Sequence, residues 1–140
     1  MQSPASVPDA VEAQAILTAP LRVLVVEDSA TARVLLRQQF RRLAPSAELW
    51  EAEDGKAALR LLGTRIADLI VCDLHMPGMD GASFVQLLRR NSLLRAKPVL
   101  VATGSPQDAG AELLGDPRVR LLAKPVQAAG LYRALRELLG

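Results

Sequence analysis

Short apolar runs recur in this chain at a regular beat. They lie at Leu21–Val26, Ala47–Glu51, Leu69–Cys72, Val99–Ala102 and Val119–Leu122. Four are continuously apolar and rich in Val, Leu or Ile, the pattern of strands covered on both faces. The second run is more mixed and suits an edge strand. Stretches with helical spacing separate the runs. The first of these is capped by Ser29, repeats Ala32, Leu36, Phe40 and Leu43, and ends at Pro45. Asp54 opens the second, with Ala58, Leu59 and Leu62 inside and Gly63 at its end. A third runs from about Ala82 to Arg90 with Phe84, Leu87 and Leu88 inward, and a fourth is near Pro106 to Leu114 with Gly110 in its middle. The fifth, about Ala128 to Leu139, carries Leu131, Leu135 and Leu138 on one stripe. Five strand-helix alternations predict an α/β sandwich: a doubly wound, five-stranded parallel sheet with five flanking helices.

The 140 residues bound about one domain. Residues 1–20 differ from the rest, with Pro4, Pro8 and Pro20 among Ala, Ser and Val. They read as an N-terminal tail or short helical extension, in which Asp9 caps a helix over Ala10 to Leu17, and the domain proper is expected at 21–140. Seventeen basic against 15 acidic residues leave a net charge of +2, too balanced for a nucleic-acid coat. Trp50, Tyr132, Phe40 and Phe84 are the only aromatics, too few for a base-stacking platform. The single cysteine, Cys72, excludes an internal disulfide and a Cys-rich zinc site, and the single histidine, His75, excludes a paired-histidine metal centre. The longest uncharged run, Pro98 to Gln107, has ten residues, against about 20 for a membrane helix. With no secretory signal in view, a cytoplasmic domain is expected.

Ligands of such sheets sit at the carboxyl ends of the strands, where strand order reverses. The first strand ends in Glu27-Asp28, the third in Asp73, the fourth in Thr103-Gly104 and the fifth in Lys124-Pro125. Gathered on one sheet edge, three carboxylates and one ammonium leave a charge of −2. Carboxylates that close repel, and a divalent cation relieves them. All-oxygen ligation with few protein carboxylates suits Mg2+. Mg2+ in turn suits a phosphoryl group, with Lys124 and Thr103 taking its other oxygens and a carboxylate able to act as nucleophile.

Four segments carry a family resemblance: Val-Leu-Val-Val-Glu-Asp (23–28), Val-Cys-Asp-Leu-His-Met-Pro-Gly-Met-Asp-Gly (71–81), Val-Ala-Thr-Gly (101–104) and Leu-Ala-Lys-Pro (122–125). The chain resembles the receiver domain of two-component response regulators over residues 21–140, and the segment around Asp73 is its most specific part. The resemblance implies the flavodoxin-like receiver fold. It implies that Asp73 accepts a phosphoryl group from a phosphohistidine on a histidine kinase or histidine phosphotransfer protein. It implies that Glu27, Asp28 and Asp73 hold Mg2+ with the backbone carbonyl of His75, that Thr103 and Lys124 bind phosphoryl oxygens, and that the Lys124–Pro125 bond is cis. It implies a phosphoacceptor rather than an enzyme, signalling through altered binding to an output protein, with no nucleic-acid or membrane partner.

The sequence departs from the family in two places. An aromatic residue often stands three positions before the lysine; here it is Leu121, so coupling between Thr103 and an aromatic ring is absent or altered. Gly104 leaves one side of the pocket uncovered. Side chains at position 75 mainly tune the loss of the acyl phosphate in the family, and a proton-transfer role for the His75 imidazole is a minor reading. Cys72 is expected to be buried and inert. Arg33, Arg37 and Arg41 recur every fourth residue and predict a basic stripe facing a partner. Other readings are a module of a larger hybrid kinase and a Mg2+-dependent phosphohydrolase with an aspartyl-phosphate intermediate. The hydrolase reading needs a carboxylate two residues after Asp73, where His75 stands.

Overall fold

A computed structural model describes residues 20–140. All of the expected tail but Pro20, with the Asp9 cap and the helix over residues 10–17, lies outside the described residues. Five strands form one parallel sheet: β1 (Arg22–Val26), β2 (Glu48–Ala52), β3 (Leu69–Cys72), β4 (Val99–Thr103) and β5 (Val119–Ala123). The helices are α1 (Ala30–Leu43), α2 (Gly55–Leu62), α3 (Gly81–Arg90), α4 (Ala111–Leu114) and α5 (Ala128–Leu139). The strand order is β2-β1-β3-β4-β5, so the mixed second strand is an edge, and order reverses between β1 and β3.

The unbroken apolar runs have a direct cause. Side chains alternate across a strand, and both sheet faces are covered. Leu24 and Val26 of β1 join Ile70, Cys72, Val99 and Val101 in a core roofed by Ala58, Leu62, Phe84 and Leu88. Val23 and Val25 point the other way, with Val71, Leu100 and Ala102, against Leu36, Phe40, Leu131 and Leu135. Two cores on opposite faces make the sheet doubly wound. No helix of the described residues is long and apolar enough to cross a membrane.

The cap residues act as their chemistry directs. Ser29 accepts from the Ala32 N–H, Asp54 from Ala57 and Asp80 from Ser83. Two expectations change. The stretch from Pro106 to Leu114 is not one helix: a 3-10 turn (Pro106–Asp108) stops before Gly110, and α4 has only four residues. Pro106 opens the turn, no side chain caps either piece, and Leu113 is the one buried residue among them, so little holds a longer helix together. In α3, Val85 is buried in place of Leu87, which is 40% exposed. Four of its ten residues are buried, Gly81 at its start and then Phe84, Val85 and Leu88 as the inward side chains.

Candidate phosphoacceptor site

The carboxyl ends of β1, β3, β4 and β5 bring Glu27, Asp73, Thr103 and Lys124 together. Lys124 reaches back across β4. Its Nζ lies 2.8 Å from Asp73 Oδ2 and also contacts Glu27 Oε1. Glu27 is 2% exposed and Thr103 fully buried. An unpaired carboxylate buried like Glu27 would be costly, and the ammonium together with the Ser29 N–H, 3.1 Å from Oε2, supplies its partners.

Asp73 is fixed through both oxygens. Oδ1 accepts from the His75 N–H at 3.3 Å and Oδ2 from Lys124. Burial pushes the Asp73 carboxyl up, but the Lys124 ammonium and the His75 N–H outweigh burial and hold it below the usual range. Burial pushes Lys124 down, and the two carboxylates reverse that and hold its ammonium above its ordinary value. Both groups are therefore charged at neutral pH. Asp28 is exposed at the turn after β1. Cys72, 1% exposed, has its thiol pushed up to about 12 by burial and by the charges of Asp73 and Glu27, so it is inert.

Among the described residues, no three His, Cys, Asp or Glu side chains converge closely enough to form a metal cluster. Lys124 stands between Glu27 and Asp73, and both Glu27 oxygens already face protein donors. What remains for a cation is Asp28, one side of Asp73 and main-chain carbonyls. That hard, all-oxygen set fits Mg2+, which keeps most of its waters and binds through one or two carboxylates plus phosphate.

The loop after β3 is shaped by glycine. The Gly81 N–H donates to the Leu74 carbonyl at 2.7 Å. A Cβ on Gly81 would stand 2.3 Å from the Asp73 carbonyl oxygen, so only glycine lets α3 start this close to the Asp73 backbone. Gly78 has φ +79° and closes the turn before it. The Lys124–Pro125 peptide is cis. Nothing lies within 4 Å of a Cβ built on Gly104, so that flank of the pocket is open.

The His75 imidazole turns away from Asp73. Its Nε2 lies 2.9 Å from Asp108 Oδ2, in the turn after β4. Two of the three arginines in the basic stripe of α1 are engaged within the domain, while Arg41 is exposed. Arg37 pairs with Glu51 at 2.7 Å, and Arg33 Nη1 donates to the Glu27 carbonyl at 2.6 Å. Residue spacing alone does not show Arg33 at the site, because its contact is with a main-chain carbonyl. The signal available was its place one turn into the helix that follows Glu27-Asp28.

Comparison with known proteins agrees with this geometry. The family model for the response regulator receiver domain matches residues 23–136. A protein-glutamate methylesterase/protein-glutamine glutaminase of Burkholderia thailandensis is 35% identical over 109 residues, 76% of this chain and 30% of that protein. A probable methanogenesis regulatory protein, FilR2, of Methanothrix harundinacea is 31% identical over 126 residues, 85% of this chain and 81% of that one. The chain thus spans under a third of the methylesterase and most of the Methanothrix protein. The structure of the Vibrio cholerae chemotaxis protein CheY4 superposes with a TM-score of 0.73 at 27% identity, covering 86% of this chain and all of that one. With the strand order, the acidic strand ends and the lysine contact, these matches make the chain a member of the response regulator receiver domain family, the CheY-like domains of two-component signalling.

Proposed function

We propose that Asp73 is the phosphoacceptor of this receiver, charged from a phosphohistidine on a histidine kinase or histidine phosphotransfer protein. The observation that carries the reading is the Lys124 ammonium 2.8 Å from Asp73 Oδ2 at an open strand end. In the transfer, an Asp73 carboxylate oxygen forms a bond to phosphorus as the P–N bond to the donor imidazole breaks, and the imidazole leaves with the electron pair. Lys124 and the His75 N–H hold the carboxylate in one orientation beforehand, which removes part of the entropic cost of attack. In this reading Lys124 and the buried Thr103 hydroxyl meet charge on the incoming phosphoryl oxygens. Asp28, Asp73 and the His75 carbonyl would hold Mg2+ directly, with Glu27 behind them. When bound, Mg2+ neutralises charge on the acceptor and phosphoryl oxygens.

The domain acts as a phosphoacceptor in the cytoplasm rather than as an enzyme turning over a separate substrate. The position two residues past Asp73, where a hydrolase needs a free carboxylate, carries an imidazole already paired with Asp108. Partner approach is supported by an apolar groove of about 430 Å³ beside Lys124, lined by Leu35, Leu36, Pro125 and Val126 among others. Output passes through altered protein binding.

Incubation with Mg2+ and acetyl phosphate tests the assignment. One labile phosphoryl group per chain, mapped to Asp73 and absent from Asp73→Asn, is the expected result. Equal labelling of the variant would overturn it.

A further inference from the structure

We infer that Arg33 is a positioning residue for the cation site, acting through the main chain of Glu27 to aim Asp28. The inference rests on the phosphoacceptor reading and goes beyond it by adding a residue to the machinery.

The backbone of Glu27 is held at both polar groups. Its N–H donates to the Ala52 carbonyl at 2.9 Å, continuing the β1–β2 ladder one residue past the strand. Its carbonyl accepts from Arg33 Nη1 at 2.6 Å. That carbonyl belongs to the same rigid plane as the Asp28 N–H, because a peptide unit is planar. Fixing the plane limits ψ of Glu27 and φ of Asp28, and so limits where the Asp28 carboxylate leaves the chain. Asp28 itself is exposed, and no ion pair or side-chain hydrogen bond holds its carboxylate among the described residues. The turn that carries it is held on one side by the Ser29 N–H on Glu27 Oε2 and on the other by the guanidinium on the Glu27 carbonyl.

Arg33 suits this task. Its side chain is only 16% exposed, and its Nε lies 4.0 Å from Glu51 Oε1. Glu51 stands on β2, so a carboxylate carried by the sheet lies beside the fork. A planar guanidinium can serve a carboxylate and a carbonyl together, where an ammonium is a single point of charge.

Two effects of Arg33 on a cation oppose each other. As a nearby positive charge it repels the ion, and as a clamp it presents Asp28 in advance. If charge dominates, removing Arg33 tightens Mg2+ binding; if the clamp dominates, removal weakens it. The charge effect is screened at this partly open site. A charge-assisted bond to a buried carbonyl is among the stronger hydrogen bonds, so the clamp is expected to win.

The test is titration of Mg2+ alone into the folded protein, followed by amide chemical shifts, with thermal melting as the control for folding. Arg33→Ala keeps a good helix former in α1 and should weaken Mg2+ binding about three- to tenfold. Arg33→Gln keeps an amide donor without the charge and should recover much of the loss. Arg37→Ala breaks the other contact to Glu51 without touching Glu27 and should leave the affinity within about twofold. Unchanged or tighter binding by Arg33→Ala, equal loss in Arg33→Gln, or equal loss in Arg37→Ala would each overturn the inference. A fold-independent measurement uses the wild type: the Asp28 amide should be rigid, with an order parameter near about 0.85, and a value below about 0.6 would equally overturn it. Failure of the phosphoacceptor reading shows separately, as absence of acetyl-phosphate labelling in the wild type.

Discussion

At Lys124 one ammonium meets two carboxylates, Glu27 and Asp73. Its removal leaves a carboxylate that is 2% exposed without its cation. Lys124→Met should therefore destabilise the fold by about 1–3 kcal/mol, between the exposed-pair and buried-pair ranges because the lysine is partly open to solvent. The sign with pH follows from the two shifts. Asp73 has a lowered folded pKa, so its contribution is present above its unfolded value of about 3.9 and is lost as pH falls through the folded value. Lys124 has a raised folded pKa, so its contribution is full below about 10.4 and is lost as pH rises through the folded value. Between these limits the pair's contribution is flat. The deficit of Lys124→Met in urea midpoints should be full at pH 7 and shrink as pH drops through the carboxylate range. A deficit that grows in acid would contradict the pairing. The acidic strand ends, the lysine and the threonine were legible in sequence because each follows an apolar run. Arg33 was not, since side chain to main chain contacts leave no partner residue type to search for.

Helix α1 is where sequence and structure part most usefully. Four-residue spacing made Arg33, Arg37 and Arg41 a stripe, and the helix does run over Ala30–Leu43. Spacing could not show that β2 delivers Glu51 to that stripe, because the register between β1 and β2 is a tertiary fact. Near the site the exposed surface of α1 is apolar: Leu35 is 51% exposed and lines the groove beside Lys124. Leu35→Glu should leave acetyl-phosphate labelling unchanged and slow transfer from the cognate phosphohistidine protein by about tenfold. Transfer at the wild-type rate in a rapid-quench assay would remove α1 from the docking face. The strands were read to within a residue or so because a two-sided core demands unbroken apolar runs. The segment after β4 was misread because Pro106, Gly110 and a single buried leucine specify two short turns, and apolar spacing over so few residues cannot separate them from one helix.

On the scale of the whole molecule, the site sits where four strand ends meet, while the segment that departs most from the family follows β4. Leu121 is half-buried and offers no ring to swing inward. A response to charge at Asp73 is then expected to pass through Thr103, the open flank at Gly104 and the loop that carries Asp108. Chemical-shift mapping of the protein with and without beryllofluoride should show its largest changes outside the site over residues 104–125. A map quiet there would place the readout elsewhere. Lys124 gives that route a mechanical meaning. As an outer strand, β5 has a ladder on one side only, to β4. Past its end the chain is held by the Lys124 N–H on the Thr103 carbonyl and by an ammonium stretched over β4 to β3 and β1. The outermost strand is thus moored by a tether anchored on charge two strands inward. Added charge on Asp73 would draw the mooring toward β3 and slacken it at β1, turning a local change of charge into displacement of the sheet's rim.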